Sequence, residues 1–230
     1  MIKSKMYPFY YTWATLGLYL VFFIVPGLMG FYYSFTDWNS YSNEINFIGV
    51  DNFKKLFSAD ENYMSFVYNT LKFTFFTVIL KTVLGLLFAM ALNDGIRMKG
   101  FHRVMLFLPA VVPMLVVGLI FKSVLNPATG LLNETLRAIG LDFMAQKWLV
   151  DVNWAFKSII GVDVWKGVGY IMIILLAGLQ SISRTYYEAA AIDGANVWQK
   201  FVHVTLPLLM PALVVTTVLN LLHGLKVFEV

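Results

Sequence analysis

Between Lys5 and Asp37 the chain carries no charged residue. Within that run Ala14 to Tyr33 supplies about 20 residues, enough at 1.5 Å per residue to cross a hydrocarbon core about 30 Å thick. The run is too long for the apolar part of a cleaved leader, and no small-x-small pattern ends it, so it reads as a span. Four more stretches have spanning length: Leu71 to Leu92, Val104 to Leu125, Ile159 to Ile182 and Leu206 to Leu225. Apolar residues make up 59% of the chain and charged ones 13%, where soluble proteins average about half and a quarter. The expectation is an all-α membrane protein, a polytopic helix bundle with five transmembrane helices in a single domain over 1–230.

Lys and Arg sit singly at the ends of the apolar stretches, which marks topology and excludes a nucleic-acid patch. The tail carries Lys3 and Lys5, the loop after the second span Arg97, Lys99 and Arg103, and the loop after the fourth Arg184 and Lys200. All three fall on one side, which the positive-inside rule makes cytoplasmic, together with the N-terminus. The opposite loops are longer and acid-rich, with Asp37, Glu44, Asp51, Asp60 and Glu61 in the first, and Glu134, Asp142 and Asp151 in the second. Tyr7, Tyr10, Tyr11 and Trp13 before the first span, and Tyr32, Tyr33 and Trp38 after it, suit the two interfaces. Pro26 with Gly27, and Pro109 with Pro113, are expected kink points in the first and third spans.

Tyr187 to Pro211 reads YEAAAIDGANVWQKFVHVTLPLLMP and falls on the cytoplasmic side. Glu188 to Ala191 are helix formers, Asp193 and Gly194 offer a turn, and Ala195 to Val204 form a second short helix before Pro207. Small residues at the bend and the apolar Ile192, Val197, Trp198 and Phe201 beside Glu188 and Lys200 describe either a docking element or a loop that packs on its own bundle.

Glu188-Ala189-Ala190, then Gly194, then Val204, Leu206 and Pro207 resemble the EAA loop of ABC importer permeases. With Asp193 before Gly194 and Ala195 after it, the version here is similar to that of the sugar-importer branch. FYYSFTDWN from Phe31, FIGVDNFKKLF from Phe47, NTLKFT from Asn69 and GLLN from Gly130 extend the likeness over nearly the whole chain, toward the maltose, lactose or glycerol-phosphate type of first permease. The resemblance implies that a loop at about 183–205 inserts into a separate ATPase subunit, present in two copies. Glu188, Ala189, Ala190, Asp193, Gly194, Leu206 and Pro207 would be its coupling positions. It further implies a second permease subunit, an extracytoplasmic solute-binding protein and the bacterial inner membrane. Permeases of this kind have a six-span core, so a sixth span is expected beyond the five, and the sequence reads as truncated before it.

No glycine-rich phosphate loop ending in Gly-Lys-Ser/Thr is present, so the chain itself is not expected to hydrolyse ATP, and no cofactor is implied. His102, His203 and His223 are too scattered for a metal motif, and no cysteine is present. Polar groups inside spans are candidates for the solute path: Lys81, Asp163, Lys166, Gln180, Asn220 and His223. Asp163 and Lys166, three residues apart, are expected to pair with each other on one helix face. Trp165 is placed either to stack on a sugar ring or to anchor the interface, and with Asn220 completes the solute-binding candidates. Asn133-Glu134-Thr135 matches a glycosylation acceptor by chance. The rival readings are an ion-coupled secondary transporter working through Lys81, Asp163 or Lys166, and a truncated permease that does not function.

Overall fold

The computed structural model describes residues 10–41, 44–58, 63–93, 95 and 97–226. Lys3, Lys5, Tyr7, Asp60, Glu61 and 227–230 lie outside the described residues, as do the side chains of Tyr10 and Tyr11. Two compact units meet in sequence at Val67 and Tyr68.

In the first unit, α1 (Tyr10–Tyr19), a π turn (Leu20–Ile24) and α2 (Val25–Tyr33) run on without a break, giving an apolar helix over Thr12–Tyr33. Pro26 was an expected kink point. Its missing N–H is absorbed instead by the widened turn, where Val25 N–H reaches back to the Leu20 carbonyl. After α2 two stretches fold onto each other. Ile48 N–H donates to the Phe35 carbonyl (2.9 Å), Asp37 N–H donates to the Asn46 carbonyl (3.0 Å), and Thr36 bridges Phe47. Asn52, in α3 (Asp51–Phe57), donates through Nδ2 to the carbonyls of Ser34 and Thr36. The FYYSFTDWN and FIGVDNFKKLF stretches are therefore two halves of one small structure.

The second unit is built around two long helices, α4 (Tyr63–Asn93) and α8 (Val152–Ser181). Of α4, the unit includes the part from Tyr68 onward. Its buried positions Thr77, Lys81, Gly85 and Ala89 recur every four residues, and the last three lie against α8. Ala89 and Leu92 pack with Ile171, Met172, Leu175 and Leu179 of α8 and with Leu209 further on. The start of α8 is set by Asp151, whose carboxylate accepts from Asn153 N–H (2.9 Å) and Trp154 N–H (3.1 Å).

Between them lies the expected third span, bent at one of its two expected kink points. It is a broken pair, α5 (Lys99–Val111) and α6 (Met114–Val124), bent by 97°. Pro113 supplies no backbone donor and forces Val112 into an extended conformation (φ −70°, ψ 129°), which ends α5. Pro109, by contrast, stays inside α5. α5 packs closely on α8, with no side chain at Gly169 to hold it off the Leu106 carbonyl.

The connection from α6 to α8 holds α7 (Leu131–Ala138) and a short 3-10 turn (Asp142–Met144). Asn133 organises it, donating to the carbonyls of Pro127 and Gln146 and accepting from Trp148 Nε1 at 2.7 Å. The residue is buried, so the Asn133-Glu134-Thr135 match is structural rather than a glycan acceptor.

The C-terminal part revises a second expectation. α9 (Arg184–Ile192) is followed by α10 (Val197–Lys200), a π turn (Phe201–Thr205) and α11 (Leu206–Leu225). The last three form one unbroken helix over Val197–Leu225, not a short helix that ends before Pro207. As at Pro26, a π turn precedes the proline, and Leu206 N–H donates to the Phe201 carbonyl five residues back. The described residues thus hold four helices of spanning length and apolarity, or five spans if the bent pair counts as one.

Candidate functional site

Asp163 lies at the heart of the second unit, 2% exposed although it sits in an apolar helix. Lys81 of α4, 3% exposed, brings its Nζ to 2.6 Å from Asp163 Oδ2 in a buried ion pair. His223 of α11 places Nε2 2.9 Å from Oδ1. A carboxylate engaged with an ammonium group has no proton to give, so Nε2–H is the donor. Three helices are tied together through one carboxylate. This corrects the expected Asp163–Lys166 pair. On one helix the two could at best be surface neighbours, whereas a carboxylate buried among apolar helices is stabilised far more by an ammonium group facing it from α4.

The triad forms one wall of a cavity of about 290 Å³, near the lower end of small-molecule sites at roughly 300 Å³. α5 contributes Phe107 and Ala110, α8 adds Lys166, Gly167 and Tyr170, and α11 adds Leu219 and Asn220. Gly167 is needed for the approach of Lys81: a Cβ there would stand 2.8 Å from Lys81 Cε. Five of the six span candidates meet here, and Gln180 does not. It lines a second cavity of about 600 Å³ with Lys99, Arg184, Tyr187 and Lys200. Trp165 is not among the lining residues of the first cavity. Its exposed ring packs edge-on against Phe121, with centroids 5.2 Å apart.

Sequence reasoning missed Gly167 and Tyr170, although the signal was there. They follow Asp163 at i+4 and i+7, the spacing of one helical face. His223, a span candidate from the sequence, stands in the cavity wall as a partner of Asp163.

The 183–205 stretch has a geometry of its own. Ser183 caps α9 by accepting from Thr185 N–H. At the other end Ala195 N–H donates to the Ala190 carbonyl and Gly194 N–H to the Ala191 carbonyl, with Gly194 at φ +75°. This paired closure needs a left-handed residue, and glycine takes that conformation without strain. Asn196 and Gln199 then exchange backbone and side-chain hydrogen bonds as a capping box that starts the next helix. Glu188, Ala189, Asp193 and Gly194 are exposed, Ala190 is half-buried, Leu206 is half-buried and Pro207 exposed. Ile192 at 86% and Trp198 at 69% exposure stand out from the turn. The loop is anchored by Tyr187, whose hydroxyl lies 3.1 Å from that of Thr205.

Residues 81–228 match the model of a family described as the binding-protein-dependent transport system inner membrane component. The chain belongs to that family. Both the cavity and the 183–205 loop fall within the matched region. Among its relatives, the multiple sugar-binding transport system permease protein MsmF of Streptococcus mutans is 37% identical, over 99% of this chain and 77% of that protein. The trehalose/maltose transport system permease protein MalF of Thermococcus litoralis is 36% identical, over 94% of this chain and 72% of that protein. A chain in the crystal structure of a bacterial alginate ABC transporter in complex with alginate pentasaccharide-bound periplasmic protein superposes with a TM-score of 0.78 at 28% identity, covering 95% of this chain and 72% of that one. As an inner-membrane component of this family, the chain is a multi-pass transport subunit, and its relatives are permeases rather than enzymes. Membership also removes the ion-coupled secondary transporter as a reading of the buried ionic groups.

Proposed function

We propose that this inner-membrane component works as one permease domain of an ABC importer for a sugar or sugar-like solute, with the cavity at Asp163 as a station on the solute path and the 183–205 loop as the docking point for a separate ATPase subunit. The observation that carries the reading is a single element common to both places. The helix over Val197–Leu225 starts at the exposed turn and ends beside the cavity, where it supplies Asn220 and His223. Trp198 and Asn220 are 22 residues apart on it, roughly 33 Å at 1.5 Å per residue. A rigid rod with one end in a partner and the other in the cavity wall converts displacement of the loop into a change of cavity shape. Such coupling requires contacts that differ between two states. Glu188, Ala189, Ala190, Asp193, Gly194, Leu206 and Pro207 serve the docking, and Asn220 the solute.

The relatives' names support a carbohydrate as the solute class, and the alginate transporter supports delivery by a periplasmic binding protein. A second permease subunit and two ATPase copies complete the assembly. ATP is hydrolysed on the ATPase subunits, and the N-terminus lies in the cytoplasm, where the Arg97, Lys99, Arg103, Arg184 and Lys200 loops also fall.

The test is co-purification of the chain with its ATPase and second permease, together with solute-stimulated ATP hydrolysis, for the native loop and for Glu188→Lys and Gly194→Asp. The native chain is expected to retain the ATPase, and both variants to insert into the membrane without it. If loop variants that insert normally keep both the ATPase and its stimulation, the docking assignment fails.

A further inference from the structure

The cavity at Asp163 has an imbalance of charge. α4 brings Lys81 to it, α8 Asp163 and Lys166, and α11 His223, while the residues from α5, Phe107 and Ala110, carry no charge. Asp163 is the one acid among the described lining residues, and both its oxygens are engaged, one by Lys81 and the other by His223. Lys166 is left over. It is half-buried and makes no hydrogen bond or ion pair among the described residues. Asn220, which lines the same cavity, is 5% exposed, and its Nδ2 is buried without an acceptor among the described residues.

An ammonium group at membrane depth is costly unless it meets a counter-charge or a polar cavity, and a buried amide N–H left unbonded carries its own desolvation cost. Both groups are donors, and the wall offers no free acidic acceptor to satisfy them. A ligand that supplies negative charge and several acceptor oxygens satisfies both at once.

We infer that the cavity prefers solutes bearing an acidic group, a carboxylate or a phosphate, and that Lys166 sets this preference with Asn220 as the second donor. The inference rests on the cavity being a solute site. Lys81 is not the selecting residue, because its charge is already spent on Asp163. Tyr170, at the exposed rim, has a hydroxyl that both donates and accepts and so does not distinguish charged from neutral solutes.

The test uses the assembled importer, both permeases with the ATPase, in lipid nanodiscs, and four probes: galacturonate, its methyl ester, glucose 6-phosphate and glucose. The two acidic probes are expected to bind at least about ten-fold tighter than their neutral counterparts, as for a hydrogen bond to a charged group. Lys166→Met should abolish that ratio by weakening the acids alone, and Lys166→Arg should retain it. Unchanged ATPase co-purification shows that each variant is assembled. If the ester and glucose bind as tightly as the acids, or if Lys166→Met leaves the ratio intact, the charge preference is overturned and the cavity still stands as a solute site. If none of the four binds, the solute-site reading falls and the preference with it. Retention of the galacturonate ratio alone, or of the glucose 6-phosphate ratio alone, identifies which acidic group the cavity takes.

Discussion

The 183–205 loop and the cavity share a helix but are held by opposite kinds of contact. In the loop, Ser183 bonds to Thr185, Asn196 to Gln199 and Ala195 to Ala190, all close neighbours in sequence. In the cavity, Asp163 is held by Lys81 from α4 and by His223, 60 positions further on. Local bonds make a loop that keeps its shape while Ile192 and Trp198 stay exposed. Long-range contacts make a polar chamber that exists only when α4, α5, α8 and α11 are assembled. The difference teaches where each site is vulnerable: the loop through its surface, the cavity through its packing.

The sharpest way to break this comparison is Asp163→Ala. It leaves Lys81 buried without a counter-charge, a change that costs about 3–5 kcal/mol. A large fall in the thermal midpoint of the purified complex is expected, with much of it recovered in Lys81→Met/Asp163→Leu, which removes both charges. If the single variant melts like the native chain, the triad is not what holds the cavity. Gly167→Val comes next. Its Cβ would crowd Lys81 Cε at 2.8 Å, and overpacking of this kind costs about 1–3 kcal/mol. The same melting measurement should place it between the native chain and Asp163→Ala.

Asn196→Ala removes the capping box at the start of the long helix, for about 1 kcal/mol. Faster amide exchange at 197–200, with no change around Asp163, is the expected signature of a locally held loop. Trp198→Ser should shift stability by less than about 0.5 kcal/mol, since the ring is exposed, yet weaken ATPase retention. A variant that melts early and docks normally would reverse the roles assigned to the ring.

The smallest effect lies in the first unit. Asn46 donates side-chain and backbone hydrogen bonds to the Asp37 carboxylate and holds it below the usual carboxylate range. A depressed folded value means that the stabilisation is present at neutral pH and fades as acid protonates Asp37. Raised amide exchange at Asn46 in acid, absent in Asp37→Asn because that variant has already lost the charge, checks it.

Much of the loop was legible in the sequence. Glu188-Ala189-Ala190 and Asp193-Gly194 mark a helix and its left-handed closure, because helix propensity and glycine's conformational freedom act over a few residues. Four of the spans were legible for a similar reason, since a hydrocarbon core filters composition over a window of fixed length. The bend at Pro113 was only half legible. The proline's missing donor is local, but Pro26 and Pro207 share it, and there a π turn keeps the helix whole.

Apolar runs thus determine by themselves that this chain is a multi-pass membrane component, and one loop pattern determines that it resembles a permease. Which ionic groups neutralise one another was decided by tertiary structure alone. Lys166 is three residues from Asp163 and has no ionic partner among the described residues, while Lys81, on another helix, takes the carboxylate. The reason is physical. Inside a membrane bundle a charge is stabilised by whatever faces it across the helix interface, and sequence distance carries no information about that face.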